Sequence, residues 1–405
     1  MKVAVIGGGA AGFFAAVSCK KHFPHAHVEI LEKSAKVLSK VKISGGGRCN
    51  VTNATYKIGD LVKNYPRGEK QLRKAFSQFC TTDTVEWFES RNVRLVTQED
   101  NCIFPKAQDS QVIIDALIGE CKKLGVHVRT GQNVQSIERS EERFKLSIKG
   151  SSVLEFDKLI VTTGGQPKYS GLQWLEDLGH KIQEPVPSLF TFNMPKNPVT
   201  ALMGVVVEGA KVKIPGTKLE DQGPLLVTHW GMSGPAILKL SAWGARILEE
   251  KNYQFSVLVN WLSFENEDVC RHALKEKSKE WGNRQLKNVD GFGLPNRLWE
   301  FLLNKYEIPS QKRLEELSKK QFNKMVMMLF SDLYEVSGKT TFKEEFVTCG
   351  GIDLSNVNFK TMESKVVPGM YFAGELLDID GITGGFNFQA AWTTGYIAGK
   401  HCLAS

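Results

Sequence analysis

Two glycine-rich stretches carry the residues best placed to do chemistry. The first is Gly7-Gly8-Gly9-Ala10-Ala11-Gly12, which follows the apolar run Val3-Ala4-Val5-Ile6 and opens the small-residue helix Phe13-Phe14-Ala15-Ala16-Val17. This is G-x-G-x-x-G between a strand and a helix, the setting in which it binds a dinucleotide. Gly7 permits the tight turn, Gly9 lets backbone approach a pyrophosphate, and Gly12 lets helix and strand pack closely. The N–H groups of the helix N-terminus then face the diphosphate. A second apolar run, Val28-Glu29-Ile30-Leu31, ends at Glu32, 20 residues after Gly12. A carboxylate there can accept hydrogen bonds from the adenine ribose.

The second stretch runs from Lys40 to Asn53 and contains Ser44-Gly45-Gly46-Gly47-Arg48-Cys49-Asn50. Successive glycine N–H groups form a nest for an anion or for the electron-rich edge of a flavin. Arg48 can meet a phosphate with two N–H groups, and Asn50 and Asn53 offer both donors and acceptors. Cys49 has no resolving cysteine nearby in sequence and reads first as packing beside the cofactor, with a redox thiol as the alternative.

The elements needed to position these loops are legible as α/β. Strands are expected at Lys2–Ile6 and Val28–Glu32, with helices over 69–91 and 109–124, the latter closed by Gly125. An antiparallel meander is expected over Val134–Arg139, Arg143–Ile148 and Val153–Phe156, then a buried strand from Lys158 into Thr163-Gly164-Gly165. Strands follow over 204–214, 219–228 and 253–260, interrupted by a helix-like insert over 235–250. From Glu265 to Leu333 the pattern turns helical, with apolar stripes through Leu298, Leu302, Met325 and Leu329 and a capping box at Ser318-x-x-Gln321. Thr340–Val347 reads as strand. Gly369–Glu375 then gives a strand and a Gly-acid turn, and Gly384-Gly385-Phe386-Asn387 opens a last helix. The two ends would build one discontinuous nucleotide-binding domain (1–190 and 350–405). An inserted β-barrel-like domain (191–263 with 334–349) and a helical subdomain (264–333) would separate them. This layout suits FAD: its adenine end lies on the first βαβ unit, and its flavin end needs the later strand–turn–helix.

The 405 residues are 42% hydrophobic and 24% charged, an ordinary globular composition. Eight cysteines without C-x-x-C spacing argue against a metal site or a disulfide framework and for reduced thiols in a cytoplasmic protein. The N-terminus enters a core strand directly, so no leader is expected. No apolar run approaches the roughly 18 residues that span a bilayer. Net charge is +8 (52 basic, 44 acidic residues), which can steer phosphate-bearing ligands. The basic residues form no continuous stripe along the chain, which argues against a nucleic-acid partner.

On three motifs the chain resembles the BaiN/YhiN-like family of FAD-dependent flavoproteins, also described as aminoacetone-oxidase-like. They are K-x-x-x-S-G-G-G-R-C-N-x-T-N from Lys40 to Asn53, T-H-x-G-x-S-G-P from Thr228 to Pro235, and T-M-E-S-K with G-x-Y-F-A-G-E-x-L-D-x-D-G-x-T-G-G-x-N from Thr361 to Asn387. The resemblance implies a Rossmann-like FAD domain with an inserted β-barrel and a helical subdomain. Relatives typically carry a longer G-S-T-G-D-G-Y-like turn where this chain has Thr163-Gly164-Gly165-Gln166-Pro167, so any role of that turn does not transfer. Residues and resemblance together assign Gly7, Gly9, Ala10, Ala11 and Gly12 to the pyrophosphate and Glu32 and Lys33 to the adenosine. Val134 is assigned either to backbone bonds with adenine or to the strand core. Lys42, Gly46, Arg48, Cys49 and Asn50 fall along the stretch from phosphate to ring, Thr163 and Gly164 under the middle of the cofactor, and Gly374 and Glu375 at the ribityl chain or the phosphates. Gly385, Phe386 and Asn387 stand at the flavin edge, where helix N–H dipoles stabilise negative charge. His229 is a candidate acid/base. Asp378 and Asp380 line the substrate side or bind loop backbone. The expected activity is an FAD-dependent oxidoreductase acting on a small molecule through non-covalent FAD, with NAD(P)H as a transient donor. An amine-type oxidase using O₂ and a tRNA-modifying flavoprotein are the alternatives.

Overall fold

The computed structural model describes residues 1–404 apart from 141–142, 151–152 and 341–346. Chain packing divides it into two units, Met1–Ser188 with Lys343–Ser405, and Leu189–Phe342.

The first unit is built on a sheet whose parallel strands are β1 (Lys2–Ile6), β2 (His27–Leu31), β3 (His127–Arg129), β4 (Lys158–Val161) and β5 (Met370–Phe372). Their order is β5-β4-β1-β2-β3, extended past β5 by the short antiparallel strands Glu363–Ser364 and Val357–Asn358. The chain runs outward from β1 to β3 and returns on the other side of β1 with β4. The β1/β4 boundary is therefore the switch point, where ligands bind beyond the carboxyl ends of the strands.

Helix α1 (Ala10–His22) leaves β1 through the first glycine turn and is buried continuously from Ala11 to Cys19, as an all-round apolar helix must be. It is covered by a later helix, Phe386–His401, through a seam of small residues. A Cβ at Gly395 would lie 2.5 Å from the Ala11 carbonyl oxygen, and one at Gly399 would lie 2.2 Å from that of Ala15. Any side chain there would force the helices apart, so glycine sets their spacing. Phe14 sits among Phe79, Trp87, Phe88 and Trp392; a fully buried ring of this kind contributes about 1.5–3 kcal/mol.

Local differences from the sequence reading have identifiable causes. The helix expected over 69–91 is two, Glu69–Phe76 and Thr81–Glu89, because Asp83 reaches back to the Cys80 amide (2.6 Å) and starts a new helix. The insert over 235–250 is likewise Pro235–Trp243 and Ala245–Glu250, parted at Gly244. The helix expected over 109–124 spans Gln111–Leu124 and ends at Gly125 with φ +72°. The capping box is present, with the Gln321 amide donating to Ser318 Oγ at 3.3 Å and the Ser318 amide to Gln321 Oε1 at 3.1 Å. The strand expected over 340–347 falls largely outside the described residues. Strand Val347–Ile352 pairs antiparallel with Ile182–Ser188 in the first unit, which moves 347–349 out of the insert expected from sequence.

The second unit holds a seven-stranded sheet, antiparallel throughout, whose longest strands are Val206–Lys213, Glu220–Thr228 and Gln254–Asn260. Helices Glu267–Trp281, Asn296–Lys305 and Lys319–Phe330 share one apolar core with it, running from Phe190 to Val336.

Candidate functional site

The crevice at the β1/β4 boundary is shaped by which glycines are crowded and which are open. Gly7 has φ +113°, and a Cβ there would lie 2.4 Å from the Thr162 carbonyl oxygen after β4. At Gly12 a Cβ would lie 2.0 Å from the Gly7 carbonyl oxygen. Thr162 Oγ1 donates to the carbonyls of Ile6 and Gly7 (3.1 and 2.9 Å), locking the two strand ends together. Gly9 is different: a Cβ there would meet nothing within 4 Å. Crowded glycines hold the turn, and open ones leave backbone available to a ligand. Ala10 and Ala11 form the first turn of α1, and Ala11 Cβ faces Gly374.

Glu32 stands just past β2. Its Oε2 accepts from the Gly8 amide (2.8 Å), and Oε1 accepts from the amide and hydroxyl of Ser34 (2.8 and 2.7 Å). The Gln132 amide donates to the Glu32 carbonyl (2.8 Å), and the Gly131 amide to that of Ser34 (3.2 Å). These bonds hold the segment after β3 against Glu32. Val134, three residues on, begins the strand Val134–Ser140 and is half-buried; Lys33 is exposed.

Helix α2 (Ser39–Ile43) delivers the second glycine stretch. Gly45, Gly46 and Gly47 have φ of +57°, +67° and +84°, left-handed geometry that favours glycine. A Cβ at Gly46 or Gly47 would meet nothing within 4 Å. Arg48 Nε donates to the Gly45 carbonyl (3.1 Å), its Nη1 to Gln108 Oε1 (3.3 Å), and its guanidinium lies 4.3 Å over Phe104. Lys42 Nζ lies 3.4 Å from Asp109. Cys49 is fully buried, and burial pushes its thiol up to about 12. A thiol at neutral pH packs well and attacks poorly.

Three asparagines tie this loop and the last helix into one frame. The Asn50 amide donates to the Thr52 carbonyl (2.9 Å) and accepts from the Gly385 amide (3.1 Å). Asn53 Nδ2 donates to the Gly384 carbonyl (3.0 Å). Asn387 accepts from the Gly381 amide (2.8 Å) and donates to the Gly381 carbonyl (2.9 Å). Phe386 is buried, and its carbonyl accepts from Tyr65 OH (2.7 Å). The side chains of Asn50 and Asn387 thus build the loop.

Between the two halves, Thr163 and Gly164 leave β4 half-buried; Gly164 has φ +74° and open space. Glu375 Oε1 accepts from the Thr348 amide (2.9 Å), and Oε2 pairs with Lys40 Nζ (2.8 Å). The Thr348 hydroxyl is buried beside Gly165 without a hydrogen-bond partner.

The nucleotide-site residues named from sequence therefore all lie in the first unit, on the segments that follow β1, β2, β3, β4 and β5 and at the start of the last helix. His229 lies in the second unit, in the turn between Glu220–Thr228 and Gly231–Ser233, its ring centroid 3.9 Å from that of Trp230. The structure adds Lys40, Thr348, Arg67 and Ser188. Asp380 is fully buried and pairs with both ends of the Arg67 guanidinium; Ser188 Oγ donates to it at 2.6 Å. Burial pushes the Asp380 carboxyl up, and the Arg67 charge opposes that shift. Arg67 carries no motif signal, and 313 residues separate it from its partner.

Open glycines at 9, 46, 47 and 164, a carboxylate at the end of β2 and the glycine-capped last helix together fit an extended dinucleotide. The fold is the Rossmann type found in FAD-dependent oxidoreductases. A family model described as HI0933-like protein Rossmann domain matches residues 1–401, and the chain belongs to that family. It is 27% identical over 407 residues to the 3-dehydro-bile acid delta(4,6)-reductase of Clostridium scindens, covering 98% of each chain. It is 29% identical over 415 residues to the ribosomal RNA dihydrouridine synthase of Escherichia coli, covering 99% of this chain and 98% of that one. In fold it is similar to a 3-ketosteroid-delta4-(5alpha)-dehydrogenase from Rhodococcus jostii, with a TM-score of 0.52, 11% identity, and 100% and 96% of the two chains covered. Among the described residues no helix is long and apolar enough to cross a membrane, and no His, Cys, Asp or Glu side chains group to hold a metal ion.

Proposed function

We propose that the protein is an FAD-dependent reductase of carbon–carbon double bonds conjugated to a carbonyl, with uracil in RNA as substrate and NAD(P)H as the source of hydride. The observation that carries the reading is the set of open glycines beside the β1/β4 switch point, in a chain with a single dinucleotide fingerprint. A nicotinamide is then a visitor. Bound FAD supplies hydride transfer. The chain's part is to hold it: Gly7, Gly9, Ala10, Ala11 and Gly12 at the pyrophosphate, Glu32, Lys33 and Val134 at the adenosine, Thr163, Gly164, Gly374 and Glu375 along the ribityl chain. Lys42, Gly46, Arg48, Cys49 and Asn50 run from phosphate to ring, and Gly385, Phe386 and Asn387 stand at the flavin edge. The last helix directs its N-terminus there, where positive dipole favours electron-rich flavin.

Overall, NAD(P)H loses a hydride, and the double bond gains that hydride and a proton from solvent. The names of the relatives support this class: dihydrouridine is uracil saturated beside a carbonyl, and a bile-acid delta(4,6)-reductase acts on double bonds of a steroid. The relative from Clostridium scindens supports a second reading, a free steroid-like enone as substrate. Anaerobic incubation with NADPH and either single-stranded RNA or a 3-oxo-4,6-diene steroid, followed by mass spectrometry, separates them. Gain of two hydrogens on uridine is expected. Gain on the steroid alone favours the second reading, and gain on neither overturns the proposal.

A further inference from the structure

Five basic residues stand on three separate stretches of chain that hydrogen bonds join at the glycine loop. Lys40 and Lys42 lie on α2, Arg48 ends the loop, and Arg94 and Lys106 flank the hairpin Leu95–Thr97/Cys102–Pro105. Backbone and side-chain bonds join these stretches. Ser110 Oγ donates to the Lys42 carbonyl (2.7 Å), and the Ser110 amide to that of Gly47 (2.9 Å). Arg48 reaches Gln108, whose amide donates to the Pro105 carbonyl (2.9 Å), and the Lys106 amide donates to that of Arg94 (2.8 Å). Lys40, Lys42, Arg94 and Lys106 are exposed, and Arg48 partly so. Only two of the five meet carboxylates among the described residues: Lys40 with Glu375, and Lys42 with Asp109 at 3.4 Å, a half-exposed pair of small worth. The run 33–59 holds six basic residues and no acidic one.

FAD carries two phosphate charges, and its pyrophosphate belongs to the first glycine turn. Arg94 and Lys106 on the hairpin are in excess of that need. We propose that Lys42, Arg48, Arg94 and Lys106 form a phosphate-binding face that holds the backbone of an RNA strand beside the flavin end of the site. The proposal rests on the RNA reading above. Charge complementarity commits it to a polyphosphate, and the base to be reduced makes that polyphosphate RNA. Contacts of this type position the strand without reading its sequence, and each adds to the salt dependence of binding, with a slope of about −0.7 per contact on single strands.

The test uses the full-length yellow holoprotein and a fluorescein-labelled single-stranded RNA containing uridine, read by anisotropy across salt. The double variant R94E/K106E lies outside the nucleotide site. Losing two contacts is expected to flatten the slope by about 1.4, which between about 50 and 200 mM salt is about a sevenfold smaller loss of affinity. RNA binding at low salt falls, while the FAD content and the bleaching of flavin by NADPH stay at wild-type level. The control K218E/K251E changes net charge equally on exposed lysines of the second unit and is expected to keep the slope. An unchanged slope in R94E/K106E, or an equal change in the control, overturns the proposal. Complete competition by polyglutamate at equal charge overturns it in favour of an acidic protein. If R94E/K106E still saturates uracil in free uridine but loses RNA binding, surface and reductase reading both stand. If wild type binds RNA with the expected slope yet reduces nothing, only the reductase reading fails.

Discussion

Asp380→Asn tests whether the loop before the last helix is held by charge. The Asp380 carboxylate is inaccessible to solvent and receives two guanidinium N–H groups of Arg67 and the Ser188 hydroxyl at 2.6 Å. Asparagine keeps the shape and removes the charge. Arg67, largely buried, then loses the charge of this carboxylate, and breaking a buried pair from one side costs about 3–5 kcal/mol. The three lost or weakened bonds give a similar figure, at about 1.5–3 kcal/mol each for the charged ones taken singly and less when summed. The double variant R67M/D380L removes both charges; apolar replacement of a buried pair is near neutral, offset here by a Ser188 hydroxyl without a partner at about 1–3 kcal/mol. Urea denaturation followed by tryptophan fluorescence is expected to show D380N less stable by about 3–5 kcal/mol and the double variant within about 2 kcal/mol of wild type. A loss below about 1 kcal/mol in D380N, or a double variant worse than the single, refutes the reasoning.

Gly9→Ala and Gly12→Ala should separate cofactor space from fold: a Cβ at Gly9 meets no protein atom within 4 Å, whereas one at Gly12 lies 2.0 Å from a carbonyl oxygen. By thermal unfolding and flavin content, G9A is expected to keep its melting temperature without FAD and bind FAD more weakly, and G12A to lose both. Cys49, its thiol pushed up to about 12 by burial, should resist iodoacetamide at pH 8 in the native protein and react once unfolded; rapid native labelling on peptide mapping would make it a reactive thiol. His180 donates from Nδ1 to the Leu175 carbonyl (3.1 Å) and accepts the Ser364 hydroxyl at Nε2 (2.8 Å), and burial lowers it from 6.5. The unfolded chain therefore takes up a proton that the folded one refuses, and stability is lost as pH falls below 6.5. Melting temperatures at pH 7.5 and 5.5 should differ less in His180→Gln than in wild type; an equal difference would clear His180 of this role.

Much of the nucleotide fold was legible because its constraints are local. Gly12 must be glycine for a contact within one strand–turn–helix, Gly7 takes a positive φ in that same turn, and Glu32 stands at a fixed spacing from them. The frame around the last helix was legible only as a motif: Asn50, Asn53 and Asn387 could be named, but not that their side chains cap backbone. Asp380 could be named, but Arg67 and its pairing with Asp380 were beyond reach, since a pair 313 residues apart leaves no periodicity. The same holds for the proposed phosphate-binding face. No stripe of Lys and Arg runs along the chain, and α2, the glycine loop and the hairpin become one surface only when Ser110 and Gln108 tie them together. Charge read along a sequence does not show which basic residues folding brings together, and the expectation against a nucleic-acid partner was drawn from that linear reading alone.

Anaerobic mixing of the holoprotein with NADPH, then with single-stranded uridine-containing RNA, tests the central claim most directly. Bleaching of the visible flavin band by NADPH and its return on adding RNA is the expected result. A protein that takes up no FAD, or whose flavin is bleached by amines and recovers its colour only with O₂, would contradict it.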